Sequence, residues 1–327
     1  MRWLHRFAWF LAASTLLLIV AGGMVTSTDS GLAVPDWPNT YGQFMFTFPM
    51  KNMVGGIFYE HGHRLIASTV GFLTIILAIW LWRADERRWM RRLGVIALAA
   101  VILQGVLGGI TVLYFLPAPV SVAHAGLAEI FFCLTVAIAV FTSARWRTPI
   151  DADPGAANAA PVNDPTLRRI TTITTALVYV QILLGATMRH TGAGLAIPDF
   201  PLAFGRLVPH VWNFGIAIHY AHRVGALVVT IAILAVAGHV FYHHRGRREL
   251  TRPAALLTLL LVSQVTLGAL VVLSGRQEII NTAHVANGAL VLVTSLVLTL
   301  NSSRLNFSGW SPALQKQTGK IQPGRIK

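Results

Sequence analysis

Charge is scarce in this chain of 327 residues: only 12% are Asp, Glu, Lys or Arg, where a soluble domain carries about 25%. Acids are scarcer still, 12 against 26 Lys and Arg. Cysteine is nearly absent. The one thiol, Cys133, can form neither an internal disulfide nor a thiol-based zinc site, and it reads as a small buried apolar residue. The shortage of charge argues against a soluble globular domain. What remains is apolar: 54% of the residues are hydrophobic and the mean hydropathy is +0.62.

Eight stretches reach the ~20 apolar residues that a bilayer crossing needs. They lie near 7–28, 63–82, 93–115, 120–142, 170–188, 220–242, 253–274 and 281–300. A cleavable signal peptide competes for the first, but the repeat described below needs that helix, which is therefore expected to be retained. The formal charge of +14 is not a nucleic-acid signature, because it is not spread along a surface. With the N-terminus placed inside, 20 of the 26 basic residues fall on inside segments and the tail, the positive-inside bias of a multi-span membrane protein. Those residues set orientation and meet anionic lipid heads. No nucleic acid is expected as a partner, and the lipid bilayer is expected as one. The stretch DADPGAANAAPVNDP at 151–165 reads as an inside linker.

The chain writes one phrase twice. GLAVPDWP at 31–38 returns as GLAIPDFP at 194–201, 163 residues later. HGHRL at 61–65 is echoed by YAHRV at 220–224, QGVLGG at 104–109 by QVTLGA at 264–269, and HAGLA at 124–128 by HVANGA at 284–289. Four matches in one order at nearly one offset mark a tandem duplication. Four spans per half return the chain to its starting side, so the halves insert the same way up, as parallel repeats. The expected fold is an all-α polytopic membrane protein of eight transmembrane helices, two parallel four-helix-bundle repeats. Expected divisions are 1–150, a cytoplasmic linker 151–168, 169–302, and a cytoplasmic tail 303–327.

Each half places a histidine near the outer end of its second and fourth span: His63 and His124, then His222 and His284. Intramembrane histidine is costly and faces a bundle interior. One alone more often ties helices by a hydrogen bond. Two per half at one depth, doubled, supply an imidazole for each axial face of a haem held between helices; a lone pair of His would leave a zinc shell half filled. Gly62, Gly105, Gly108, Gly109, Gly126, Gly225, Gly268 and Gly288 leave room for a flat macrocycle or for close helix packing. Arg64 and Arg223 follow the histidines and suit a haem propionate or outer lipid heads equally. Gln104 and Gln264 are expected to tie helices. The Pro-rich phrases, with Trp37 and Phe200, read as stiff covers over two similar pockets.

The halves differ at Glu60, three residues before His63, where the second half has His219. Residues common to both halves bind what both share; a carboxylate present in one half marks reaction chemistry there. Glu60 is thus the candidate catalytic group, with an ion pair to Arg64 as its bland alternative. Glu129, in the fourth span, is a second unmatched acid and ranks below it.

Together GGMVTSTDSGLAVPDWP, EHGHRL, QGVLGG and HAGLAE, with their echoes, resemble the haem A synthase family over roughly residues 10–300. The resemblance implies an eight-helix enzyme of the bacterial cytoplasmic membrane, both termini cytoplasmic, that oxidises the C8 methyl of haem O to the formyl group of haem A in two successive hydroxylations. It implies haem O between His63 and His124, with Glu60 essential, and a haem b between His222 and His284. It also implies haem O synthase and cytochrome oxidase assembly factors as partners; a homo-oligomer is left open. Some members carry a cysteine pair in each outside loop. Here Val34 and Ile197 precede the Pro-Asp phrases and the loops hold no cysteine, which puts thiol-based electron entry in doubt. Two other readings stand beside this one: a di-haem b-type electron-transfer cytochrome without chemistry, and a transporter or assembly scaffold.

Overall fold

The computed structural model describes residues 1–147 and 162–304. Among them are eight helices long and apolar enough to cross a membrane: α1 (Arg2–Ser27), α2 (Gly56–Ala84), α3 (Arg88–Leu113), α4 (Ala118–Phe141), α5 (Pro165–His190), α6 (Phe214–His243), α7 (Arg248–Leu273) and α8 (Glu278–Ser302). No strand occurs among the described residues. At 1.5 Å per residue these helices are about 36–45 Å long, enough for the apolar layer and both interfaces. They are apolar all round, as a helix must be when one face meets protein and the other lipid. Phe72, Trp82, Ile102, Leu227, Ile231 and Leu259 accordingly point outward.

The expected spans all exist, but most begin earlier than hydropathy suggests. α2 starts at Gly56 and α6 at Phe214, so His63 and His222 lie two turns inside their helices. Side-chain caps set three of these starts, one of them at α8, where Gln277 Oε1 accepts the Ile280 N–H at 2.8 Å. The Asn213 side chain accepts the Ile216 N–H at 2.9 Å, and Asp164 accepts the Leu167 N–H at 2.8 Å ahead of a helix-compatible Pro165. The expected linker (151–168) lies outside the described residues up to residue 161, and its last four residues are the first turn of α5. The expected tail (303–327) lies outside them beyond residue 304.

In the first half α1 packs on α2 and α4, α2 on α3, and α3 on α4; in the second, α5 packs on α6 and α8, α6 on α7, and α7 on α8. The halves meet where α1 touches α8 and where α4 touches α5 and α8. This central position makes α4 and α8 the most buried helices. Small and polar side chains join the halves, as they do where helices associate without a hydrophobic drive. Ser27 Oγ lies 2.9 Å from Thr282 Oγ1. Arg189 donates to the Gly23 carbonyl at 2.9 Å and to Ser27 Oγ at 2.8 Å. Cys133 packs among apolar side chains of both halves, as its composition suggests.

Candidate functional site

Four imidazoles define the site, each against a glycine of the preceding helix. A Cβ on Gly22 would lie 3.0 Å from His63 Cε1, and on Gly108 3.2 Å from His124 Cε1. In the second half Gly185 stands 2.9 Å from His222 Cε1 on the same measure, and Gly268 3.1 Å from His284 Cε1. Any side chain there would push the ring aside. His63 on α2 and His124 on α4 belong to the first half, and His222 on α6 and His284 on α8 to the second. Two pairs result, one per half.

Amides orient three of the rings. Gln104 Nε2 lies 3.3 Å from His124 Nε2 and donates to the His124 carbonyl at 3.0 Å. Gln264 Nε2 lies 3.4 Å from His284 Nε2, and its Oε1 accepts from Asn287 at 2.7 Å. These two glutamines thus tie helices, as expected, and also touch the histidines. Gln181 Nε2 lies 3.0 Å from His222 Nδ1 and donates to the His222 carbonyl at 2.8 Å. Nδ1 of His63, His124 and His284 is buried with no hydrogen-bond partner. An unpartnered buried polar atom costs about 1–3 kcal/mol, so helix ties through the other ring nitrogen leave each of these rings incompletely satisfied. Neutral imidazoles that keep a nitrogen free are the donor set that axial ligation of haem iron requires, so the residues fit the group.

Gly22, Gly185 and Gln181 escape a reading based on matched phrases. The signal was present for the glycines, since they are 163 residues apart, the spacing of the repeated phrase. Gln181 has no such signal: its counterpart is Leu18. Of the glycines expected to make room for a macrocycle, Gly108 and Gly268 face imidazoles, Gly109 receives the Trp37 ring, Gly126 receives Leu183 and Tyr179, and Gly225 and Gly288 face Gln181 and Gln264. Gly62 and Gly105 face open space. Their main effect is close approach of side chains and helices.

The repeated phrase is the docking strand for the arginine after each histidine. Arg64 donates to the carbonyls of Asp36 at 2.7 Å, Asn39 at 3.0 Å and Val34 at 2.9 Å. Arg223 donates to those of Asp199 at 2.7 Å, Ile197 at 3.1 Å and Leu202 at 2.8 Å. The Asp of each phrase holds a tight turn: Asp36 accepts the Tyr41 and Gly42 N–H groups and Asp199 those of Phe204 and Gly205, all at 2.8 Å. The φ of Gly42 is 73° and of Gly205 72°, a region that favours glycine. Burial works to raise the Asp36 carboxyl, but the Gly42 and Tyr41 amides overcome it and hold it below its usual range; the Gly205 and Phe204 amides do the same for Asp199. The turns therefore contribute stability above the ordinary aspartate range and lose it only as pH falls through these lowered values.

Glu60 is buried, at 3% exposure. Its Oε2 accepts the Val34 N–H at 2.7 Å, and its Oε1 pairs with Arg64 at 2.6 Å. The ion pair weighed as the bland alternative is therefore present. His219 occupies the matching place: the Ile197 N–H lies 3.3 Å from its Nδ1. Both halves hold the backbone just before the Pro-Asp phrase, and only the first does so with a carboxylate. Glu129 is buried deeper in α4, Oε2 without a partner, near Cys133 and Tyr179.

With eight candidate membrane spans among its described residues and two histidines inside the spans of each half, the chain is of the class of multi-span membrane proteins with imidazole sites between their helices. A family model described as COX15-CtaA, cytochrome oxidase assembly protein, matches residues 5–297, and the chain belongs to that family. It is 30% identical over 285 residues to a protein named heme A synthase from Geobacillus kaustophilus, covering 84% of this chain and 85% of that one. It is also 30% identical to one from Shouchella clausii, over 83% and 87% of the two chains, and 31% identical to one from Symbiobacterium thermophilum, over 79% and 82%.

Proposed function

We propose that this protein is a haem A synthase, an oxidoreductase that oxidises the C8 methyl of haem O to the formyl group of haem A for cytochrome oxidase. The observation that carries the reading is the doubled imidazole site with a carboxylate in one half only. In this reading His63 and His124 hold haem O, and His222 and His284 hold a haem b. When bound, haem iron supplies the one-electron and oxygen chemistry that a methyl oxidation demands. The chain's own residues orient and exclude. Arg64 and Arg223 clamp the covers by their carbonyls. Trp37 closes the first pocket by lying on Gly109, so that solvent is kept from the reacting methyl. Glu60, buried with Oε1 on Arg64 and Oε2 on the Val34 N–H, is the carboxylate placed to accept a proton released there.

The architecture proposed is two parallel bundles with the divisions 1–150 and 169–302, and the proposed setting is the bacterial cytoplasmic membrane with both termini inside. Fusions of a reporter after residue 155 and after residue 45 are expected to signal from the inner and outer faces respectively; the reverse result overturns the orientation.

The test of function is mass analysis of haem extracted from the protein made in cells that supply haem O. Haem A and haem O together with haem b are expected. Haem b alone would favour the electron-transfer cytochrome, and a colourless protein would favour a transporter or scaffold. Overpacking supplies a further expectation. Gly185→Val drives a side chain into His222 and is expected to strip haem from the second half, whereas Gly22→Val spares that haem and lowers haem O retention. The displaced rings cost about 1–3 kcal/mol each, and the haem-to-protein ratio of each variant is the readout.

A further inference from the structure

At the end of the helices away from the covers stands a second group of ligating side chains that the reaction does not use. We propose that Asp164, His239 and His244 form a binding site for a zinc-class transition-metal dication. The Asp164 carboxylate caps α5 through one oxygen, Oδ1, which accepts the Leu167 N–H at 2.8 Å. Its other oxygen, Oδ2, lies 2.8 Å from His239 Nε2 and 2.9 Å from His244 Nε2. A cap needs none of this, and a helix tie needs one imidazole. Two imidazoles converge instead on a single carboxylate oxygen, and the three ligand atoms lie within 4.8 Å of one another.

The donor set selects the ion. Ligand atoms sharing a tetrahedral zinc are about 3.3 Å apart, given bonds of about 2.0–2.2 Å, so a small adjustment of side chains suffices. Two nitrogens and one oxygen suit zinc and its neighbours, whereas calcium and magnesium require a shell of oxygens. Three protein ligands leave a fourth position for water or for His243. The His243 ring centroid is 4.6 Å from that of His239 and 6.4 Å from that of His244. The chain path explains the convergence. His239 and His243 are one turn apart on the same face of α6, the helix ends at His243, and His244 leaves it at φ −132°. Binding moves each Nε2 hydrogen to the same ring's Nδ1 through solvent, so neutral imidazoles bind the ion without net proton loss. The ion would fasten the first turn of α5 to the last turn of α6, the helices that carry Gln181 and His222. This site is independent of the haem reading.

The experiment uses the full chain, purified in detergent without a polyhistidine tag, incubated with zinc sulfate and passed over a gel-filtration column. Zinc is measured by mass spectrometry beside iron, and affinity by competition with a chromophoric chelator. About one zinc per chain is expected in the wild type. Asp164→Asn and His244→Ala are each expected to weaken zinc binding by at least ~10-fold, while His210→Ala, in the cover of the same half, leaves it unchanged. His239→Gln replaces any variant that does not elute where the wild type does. A wild type that retains no zinc, or an Asp164→Asn protein that binds it as tightly, overturns the proposal.

Discussion

Glu60→Gln is expected to leave haem on the protein and to lower haem A formation by about 10²–10⁴-fold, the usual contribution of a positioned general base. The structure makes this a clean test of charge. An amide at position 60 still presents an oxygen to the Val34 N–H, now accepted at 2.7 Å by Oε2. Arg64 loses its 2.6 Å ion pair and faces the amide NH2, donor against donor, but keeps three carbonyls of the cover. The cover therefore stays closed while the carboxylate disappears. Haem O, or a singly hydroxylated form, is expected to accumulate, read by chromatography of extracted haems at matched protein level. Glu60→His makes the comparison sharper, because it installs what the second half has at His219. It is expected to keep the cover bond and to be equally inactive. Glu129→Gln is expected to cost less, since that residue lies deeper and off the imidazole pair. A normal haem A yield from Glu60→Gln would reduce Glu60 to a holder of the cover and a partner of Arg64.

His222→Ala or His284→Ala is expected to abolish the low-spin b-type spectrum while the protein still inserts. Each removes one of the two imidazoles that the second half seats against Gly185 and Gly268, and a low-spin haem would need both for its iron. Insertion survives because it depends on apolar length, which these changes leave intact. His222→Ala also strands Gln181, whose amide lies 3.0 Å from the ring, so the larger loss of thermal stability is expected there. The readout is the reduced-minus-oxidised visible spectrum of membranes with immunoblotted protein levels. An unchanged spectrum in both variants would sink the assignment of a haem to the second half.

Much of this protein is determined by its sequence alone. Apolar runs of some twenty residues have one stable use, so the number and type of helices were legible in composition. The repeated phrases were legible because they recur in one order at nearly one offset, and the four histidines stood out because a titratable side chain in a span is expensive. Only the tertiary structure decided what the neighbours of those histidines do. Arg64 and Arg223 read equally well as propionate or lipid partners, because a guanidinium serves any acceptor it reaches. The folded chain brings the loop carbonyls to them, and the repeated phrase thereby acquires its meaning. Glu60 looked distinct from His219 as a residue type; in space they meet corresponding backbone N–H groups, Val34 and Ile197, and the carboxylate is what the first half adds. Gln181 became visible only when α5 met α6, whereas Gly22 and Gly185 carried the repeat spacing in sequence and acquired their place against the imidazoles only in the fold. Asp164, His239 and His244, 75 and 80 residues apart in chain order, meet because a helix pair returns the chain to its starting side. Spacing in sequence records what one helix presents. Convergence between helices depends on how their faces pack, and no single segment carries that information.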